Sequence, residues 1–234
     1  MKINKIVIIS IVILMIFIDI NLLRAEAGIY NYDGESIQYL INPFGESEYN
    51  DLGVVDLKGL KVNLVTVRTK ILLFEDTEKI YSDSDTLLPL KVERTISALW
   101  GKEYITEDYD QKKFTITVRK LRGDKIIHEQ VIKANGPIHN GITFPFYMRG
   151  TEGLKIGWHY TVRIPNDEFK LELVSIDQII VPAGKFQAYH FKSIPEKFEI
   201  WINKNCPQVT LKIQGKGTFG YVLWMKKYNL HNSF

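Results

Sequence analysis

From Ile37 onward, apolar and polar side chains alternate with a period of two, the repeat of a strand whose two faces meet different surroundings. Leu60, Val62 and Leu64 are separated by Lys61 and Asn63, and Leu88, Leu90 and Val92 alternate with Lys91 and Glu93. Phe114, Ile116 and Val118 face one way and Thr115, Thr117 and Arg119 the other, which describes a sheet with one wet face. Turn chemistry falls between such runs at hairpin distances. Asp110-Gln111-Lys112-Lys113 leads into the run that begins at Phe114, and Arg122-Gly123-Asp124 joins that run to Lys125–Lys133. Pro165-Asn166-Asp167 separates runs 158–164 and 169–176, and Gly215-Lys216-Gly217 separates 209–213 from 219–225. Between Val181 and Phe186, Pro182 fixes one φ and Gly184 permits a positive one, so Pro182-Ala183-Gly184 reads as a hairpin corner. Strict alternation then places His190 on the face of Phe186 and Ala188, where a packed or hydrogen-bonded ring is expected.

No stretch after residue 27 holds a 3.6-residue apolar stripe over three turns, which argues against crossover helices and a βαβ fold. The longest aperiodic segment, 134–157, contains five glycines and two prolines, yet Phe144, Phe146, Tyr147 and Met148 make it too apolar for a solvated tether. It is expected to pack against the sheet. The pattern therefore predicts an all-β chain: one strongly curved antiparallel sheet, an open or half barrel, built from two meanders joined by 134–157, with few or no helices. Residues 28–234 are read as one such domain.

The first 27 residues follow another rule. Lys2 and Lys5 precede 13 apolar-rich residues at 6–18, and Ala25-Glu26-Ala27 offers a small-x-small cleavage site. This is the organisation of a secretory signal peptide cleaved after Ala27, with export to the periplasm or cell envelope. The alternative is an uncleaved anchor, which Asp19 and Asn21 interrupt short of the ~20 apolar residues a bilayer requires. An outer-membrane barrel fits poorly. Counting back by twos from Phe234 gives Asn232, Leu230, Tyr228 and Lys226, with an amide and a charge in the series.

Composition narrows the function. A net charge of +3, with basic residues spread along the strands, gives nucleic acid no basic patch. Cys206 is the only cysteine, so no intramolecular disulfide forms; it stands without a neighbouring activating group in sequence. His128, His139, His159, His190 and His231 show no metal-ligand spacing; only His159 and His190, on strands open to being neighbours, leave a two-histidine site to be considered. There is no Gly-x-Ser-x-Gly elbow. Glu103 and Glu107 offer paired carboxylates, but on a strand face most simply explained by solvent. The glycine-rich run Gly215-Lys216-Gly217-Thr218-Phe219-Gly220 opens onto a strand, without the helix N-terminus that phosphate binding uses. No catalytic set, metal or cofactor is therefore expected. Twelve Tyr, twelve Phe and four Trp either fill a core or line a groove for an apolar ligand.

The order of several short motifs resembles an exported bacterial family known as domain of unknown function 3108 (DUF3108). These are Gly34-Glu35-Ser36-Ile37-Gln38-Tyr39, then Ser82-Asp83-Ser84-Asp85-Thr86-Leu87-Leu88-Pro89 and Tyr109-Asp110. In the second half come Phe146-Tyr147-Met148-Arg149 with Leu154 and Gly157, Val181-Pro182-Ala183-Gly184-Lys185-Phe186, and Ile200-Trp201 with Pro207. Asn135-Gly136-Pro137 departs from the pattern, where an Asp is expected. The resemblance implies antiparallel β structure similar to the curved half-barrel of lipoprotein-localisation carriers, and brings no catalytic residues.

A curved sheet has a concave face that must be filled, covered or occupied. The leading expectation is a non-enzymatic envelope protein binding a lipid, a lipoprotein acyl chain or an envelope polymer. Phe144, Phe146, Tyr147, Met148 and Arg149 would form its rim or lid, and membrane contact would run only through the N-terminal segment. Arg149 either meets an anionic headgroup or makes a structural salt bridge to the sheet, the commoner use of a partly buried Arg. The alternatives are a structural or interaction domain with a filled core and, less favoured, a hydrolase using carboxylates or His159 and His190.

Overall fold

The computed structural model describes residues 34–99, 101–149, 151–216 and 220–230. The proposed signal peptide, Trp100, part of the 215–220 turn and the terminal Phe234 lie outside them. Eight strands form the first meander: β1 (Glu35–Asn42), β2 (Gly45–Leu57), β3 (Leu60–Ile71), β4 (Phe74–Asp83), β5 (Pro89–Ala98), β6 (Gly101–Asp110), β7 (Thr115–Arg122) and β8 (Lys125–Lys133). A four-residue helix, α1 (Phe144–Tyr147), follows. Six strands form the second: β9 (His159–Ile164), β10 (Asp167–Val181), β11 (Gly184–Ile194), β12 (Phe198–Asn203), β13 (Thr210–Gly215) and β14 (Val222–Leu230).

Each hairpin has a local cause. Asp110 Oδ1 accepts the backbone N–H groups of Lys112 and Lys113 at 3.1 and 2.9 Å, which fixes the β6–β7 turn. Asn166, at a φ of 69°, turns β9 into β10. Between β10 and β11 the register runs to Val181 opposite Gly184, so Pro182-Ala183 is a two-residue corner, as the sequence predicts.

All strands belong to one antiparallel sheet in the order β8-β7-β6-β5-β4-β3-β2-β1-β14-β13-β12-β11-β10-β9. The meanders are joined edge to edge by β1 and β14, leaving β8 and β9 as the outer strands of an unclosed sheet. Segment 134–157 connects these two edges and is tied to both sides of the gap. Gln111, in the β6–β7 turn, exchanges side-chain bonds with the Ile138 backbone at 2.9 and 3.0 Å. The next residue, His139, donates its backbone N–H to the Arg163 carbonyl of β9 at 2.6 Å.

The alternation sorts the core. Ile37, Tyr49 and Val67 are register partners across β1, β2 and β3, and Val65, Ile80 and Val92 across β3, β4 and β5; all are buried in one cluster. A second cluster packs Phe144 and Met148 of the connection against Val162, Leu171, Phe191 and Ile200. At about 25 cal/mol per Å² of apolar area, this burial is the main stabilising term for a chain that forms no internal disulfide.

Candidate ligand cavity

The curvature leaves a cavity of about 340 Å³ between the sheet and α1. Its walls include Val67 of β3 and Val162 of β9, strands eight places apart in the order, so the sheet curls around it. Tyr39 and Tyr49 form one side, Ile142, Phe144 and Phe146 of the connection cover it, and Ile200, Ile213 and Leu223 face them. No lining residue carries a charge.

Three hydroxyls of the wall have partners within it, whereas the buried Thr210 Oγ1 has none among the described residues. Tyr39 Oη donates to the Thr210 carbonyl at 3.0 Å, and the Ser47 and Thr69 hydroxyls lie 2.9 Å apart. Burial pushes the Tyr39 and Tyr49 hydroxyls well above their ordinary pKa, so both stay neutral. Such a wall favours apolar matter. The volume equals that of roughly eleven liquid water molecules at ~30 Å³ each and lies at the lower end of ordinary ligand sites.

The cavity has a direction. In an antiparallel sheet successive turns alternate between two ends, and Ile164, Phe198, Tyr221 and Thr69 all sit within three residues of turns at one end. These lining residues are partly or well exposed, whereas Tyr49, Val67, Phe144 and Ile200 are buried. The mouth is therefore at the end carrying the β1–β2, β3–β4 and β5–β6 turns.

Of the five residues expected at a rim or lid, two line the cavity: Phe144, which is buried, and Phe146, which stacks on Tyr49 with centroids 4.0 Å apart and 10° between planes. The other three pack behind them. Tyr147 meets His139 edge-on at 5.3 Å, Met148 joins the second core cluster, and Arg149 is paired with Glu35 of β1 at 2.6 Å. Arg149 Cζ also lies 4.4 Å from the Phe146 ring centroid. Phe146 is thus held between a tyrosine ring and a guanidinium, with the ion pair behind it and outside the cavity wall. Burial raises the Glu35 pKa, and the Arg149 charge opposes the rise.

The two histidines considered for metal or hydrolytic work are not neighbours: β10 runs between their strands. His159 is exposed. His190 stacks on Trp201 at 4.2 Å; its Nε2 lies 2.6 Å from Glu199, and its Nδ1 lies 3.1 Å from Ser175 Oγ and 3.0 Å from Asp177. Among the described residues no group of three or more His, Cys, Asp or Glu side chains is arranged to hold a metal ion. Cys206 is exposed.

Solvent does not account for both β6 carboxylates. Glu103 pairs with Lys120 at 2.8 Å, but Glu107 accepts the Tyr109 hydroxyl at 2.5 Å and belongs to an inward polar patch. In that patch Arg94 binds Asp76 through two nitrogens and lies 3.5 Å from Glu78. Desolvation lifts the Glu78 pKa to about 7, opposed by Arg94 and reinforced by Asp76 and Glu107. On the connection, His139 is shifted the other way, to about 4, chiefly by burial, so its ring is neutral between Tyr160 and Arg163. Alternation cannot show this patch, because it exists only once the register sets Glu78 opposite Arg94.

Fold and site together define an open, barrel-like β domain with a largely apolar, uncharged cavity. A crystal structure described as a β-barrel-like protein of domain of unknown function DUF1849, from Brucella abortus, has a similar fold. The TM-score is 0.54 at 8% sequence identity, over 86% of this chain and 98% of that one. No family model matches the chain, and no curated protein matches it.

Proposed function

We propose that this chain is an exported, non-enzymatic binding protein that holds one apolar or amphipathic ligand, such as a lipid tail, an acyl chain of a lipoprotein or an apolar stretch of an envelope polymer. The observation that carries the reading is the cavity: uncharged, with the Tyr39, Ser47 and Thr69 hydroxyls turned to internal partners, and open at one end of the sheet. The N-terminal signal pattern and the resemblance to DUF3108 support the envelope setting. The test is binding of 1-N-phenylnaphthylamine, a probe that fluoresces in apolar surroundings, by the purified protein. Leu223→Trp and Ile213→Trp place indoles in the cavity and should each weaken binding on the order of tenfold, the fold-change that about 1.4 kcal/mol produces. Unchanged probe affinity in both variants, with the fold intact, would exclude the cavity as the site.

A second reading, docking of a protein partner on a sheet edge, draws on β8. Among the described residues this strand pairs only with β7, and Ile126, Ile127 and Val131 are exposed along it.

A further inference from the structure

At the end of the sheet that bears the cavity mouth, Gly123-Asp124, Pro165-Asn166 and Pro195-Glu196-Lys197 are ordinary polar turns, but the three turns between β1 and β6 are unusual. Pro43-Phe44 joins β1 to β2, Leu72-Leu73 joins β3 to β4, and Leu99 opens the turn between β5 and β6. Phe44 is 65% exposed, Leu72 80%, Leu73 68% and Leu99 77%. Tyr221, 45% exposed just before β14, extends the arc to the mouth itself. Tight turns ordinarily use Gly, Asn or Asp at such positions. Here Leu72 even adopts a φ of 52°, a left-handed conformation that costs a residue with a Cβ about 1–2 kcal/mol. Neither side chain of Leu72-Leu73 returns that cost by packing, because both stand in water. Folding alone gives no reason for this choice.

The opposite end is a built-in comparison. Its turns carry polar residues at Lys58-Gly59, Ser84-Asp85-Thr86, Gln111-Lys112-Lys113 and Lys204-Asn205 and a small corner at Pro182-Ala183; Leu87, Leu88 and Phe114, the first and last at φ 55° and 54°, also lie in these turns but are half-buried. Exposed apolar residues there, such as Leu60, Ile180 and Leu230, sit on strands rather than at turn apices. At the mouth end the tips are separate fingers, two strands or about 10 Å apart, and four consecutive turns from β13–β14 to β5–β6 span roughly 30 Å. Fingers so spaced cannot cover one another. They suit a medium that flows around each of them.

We propose that the mouth end docks on a lipid bilayer, with Phe44, Leu72, Leu73 and Leu99 dipping into its surface so that the cavity opens directly onto the acyl region. The proposal rests on the cavity reading: an apolar ligand leaves or enters a lipid phase without crossing water only if the mouth faces that phase. It adds a membrane contact, beyond the N-terminal segment, made by hairpin tips of the folded sheet.

The experiment uses the full chain with Cys206→Ser and a single new cysteine, Leu72→Cys or Leu99→Cys at the mouth end or Lys112→Cys at the other, labelled with the polarity-sensitive dye NBD. On adding vesicles of equal parts phosphatidylethanolamine and phosphatidylglycerol, the label at Leu72 should shift to the blue and brighten severalfold. The label at Lys112 should not change. Tethering by the N-terminal segment alone leaves both labels in water and would overturn the proposal, as would equal shifts at both ends. A blue shift at Leu72 without vesicles that grows with protein concentration would also overturn it, by assigning the tips to a second copy of the chain. Leu72→Asp with Leu73→Asp should abolish the shift of a label at Leu99, yet leave phenylnaphthylamine binding in vesicle-free buffer unchanged. Loss of probe binding in the Leu223 and Ile213 variants together with an unmoved label at Leu72 would refute docking and spare the cavity; a label that moves while those variants bind normally would do the reverse.

Discussion

Replacing Glu78 by Gln removes a carboxyl that the fold holds against its own charge. Its pKa rises from an ordinary 4.5 to about 7 because the side chain is largely desolvated beside Asp76 and Glu107, with Arg94 compensating only in part. Between those values the folded state binds a proton that the unfolded state has released. Stability therefore falls as pH rises through the window. At about 1.4 kcal/mol per pH unit, the ionised carboxyl costs about 3 kcal/mol once the pH exceeds 7. Glu78→Gln should thus stabilise the protein by about 3 kcal/mol at pH 8, raising the melting temperature on the order of 6–12 °C, and have little effect at pH 4. His139 hides this trend in the parent protein. Its pKa falls from 6.5 to about 4, so the unfolded state binds the extra proton and stability rises with pH across nearly the same range. The two slopes oppose each other between pH 4.5 and 6.5. Urea melts at half-unit pH steps give the difference between variant and parent, in which the other titrations cancel. A difference curve that is flat from pH 4 to 8 would refute the assigned burial of Glu78; one that rises toward pH 8 supports it.

Arg149→Met leaves Glu35, whose side chain is fully buried, without the guanidinium at 2.6 Å, and should cost about 3–5 kcal/mol in urea melts at pH 7. Adding Glu35→Met should recover much of that loss, since two apolar side chains of similar size need no partner. For the edge strand, Val131 is 63% exposed on β8, so Val131→Lys should lower any concentration-dependent association seen by sedimentation velocity without shifting the melting temperature. Unchanged association would remove β8 from consideration as a docking edge.

The sheet was readable because its two signals are local. Alternation from Leu60 to Leu64, or from Phe114 to Val118, marks strands one at a time, and Asp110 or Asn166 marks where each ends. The role of the aperiodic connection was also readable, since Phe144 and Phe146 are too apolar for water and Phe146 does pack on the sheet. The cavity was not. Tyr39, Ile200, Ile213 and Leu223 become one surface only through the β1–β14 junction and the register that follows from it, which no short segment encodes. The same holds for the Arg149 partner, 114 positions away in sequence, and for Glu107, whose neighbours on β4 and β5 turn a face expected to be wet into a half-buried polar patch.

Because β8 and β9 do not pair, the circumference of this sheet is not fixed by a closed ring of hydrogen bonds. A closed barrel that must admit a longer guest has to stretch or break strand pairing all the way round. Here the connection with α1 spans the gap, anchored at Ile138 and His139, while the strands behind it keep every ladder bond. The room available to a guest is therefore bounded on that side by the packing of Phe144 and Phe146 and not by strand pairing, so the bore of this sheet is set by side chains of one connection instead of by a ladder.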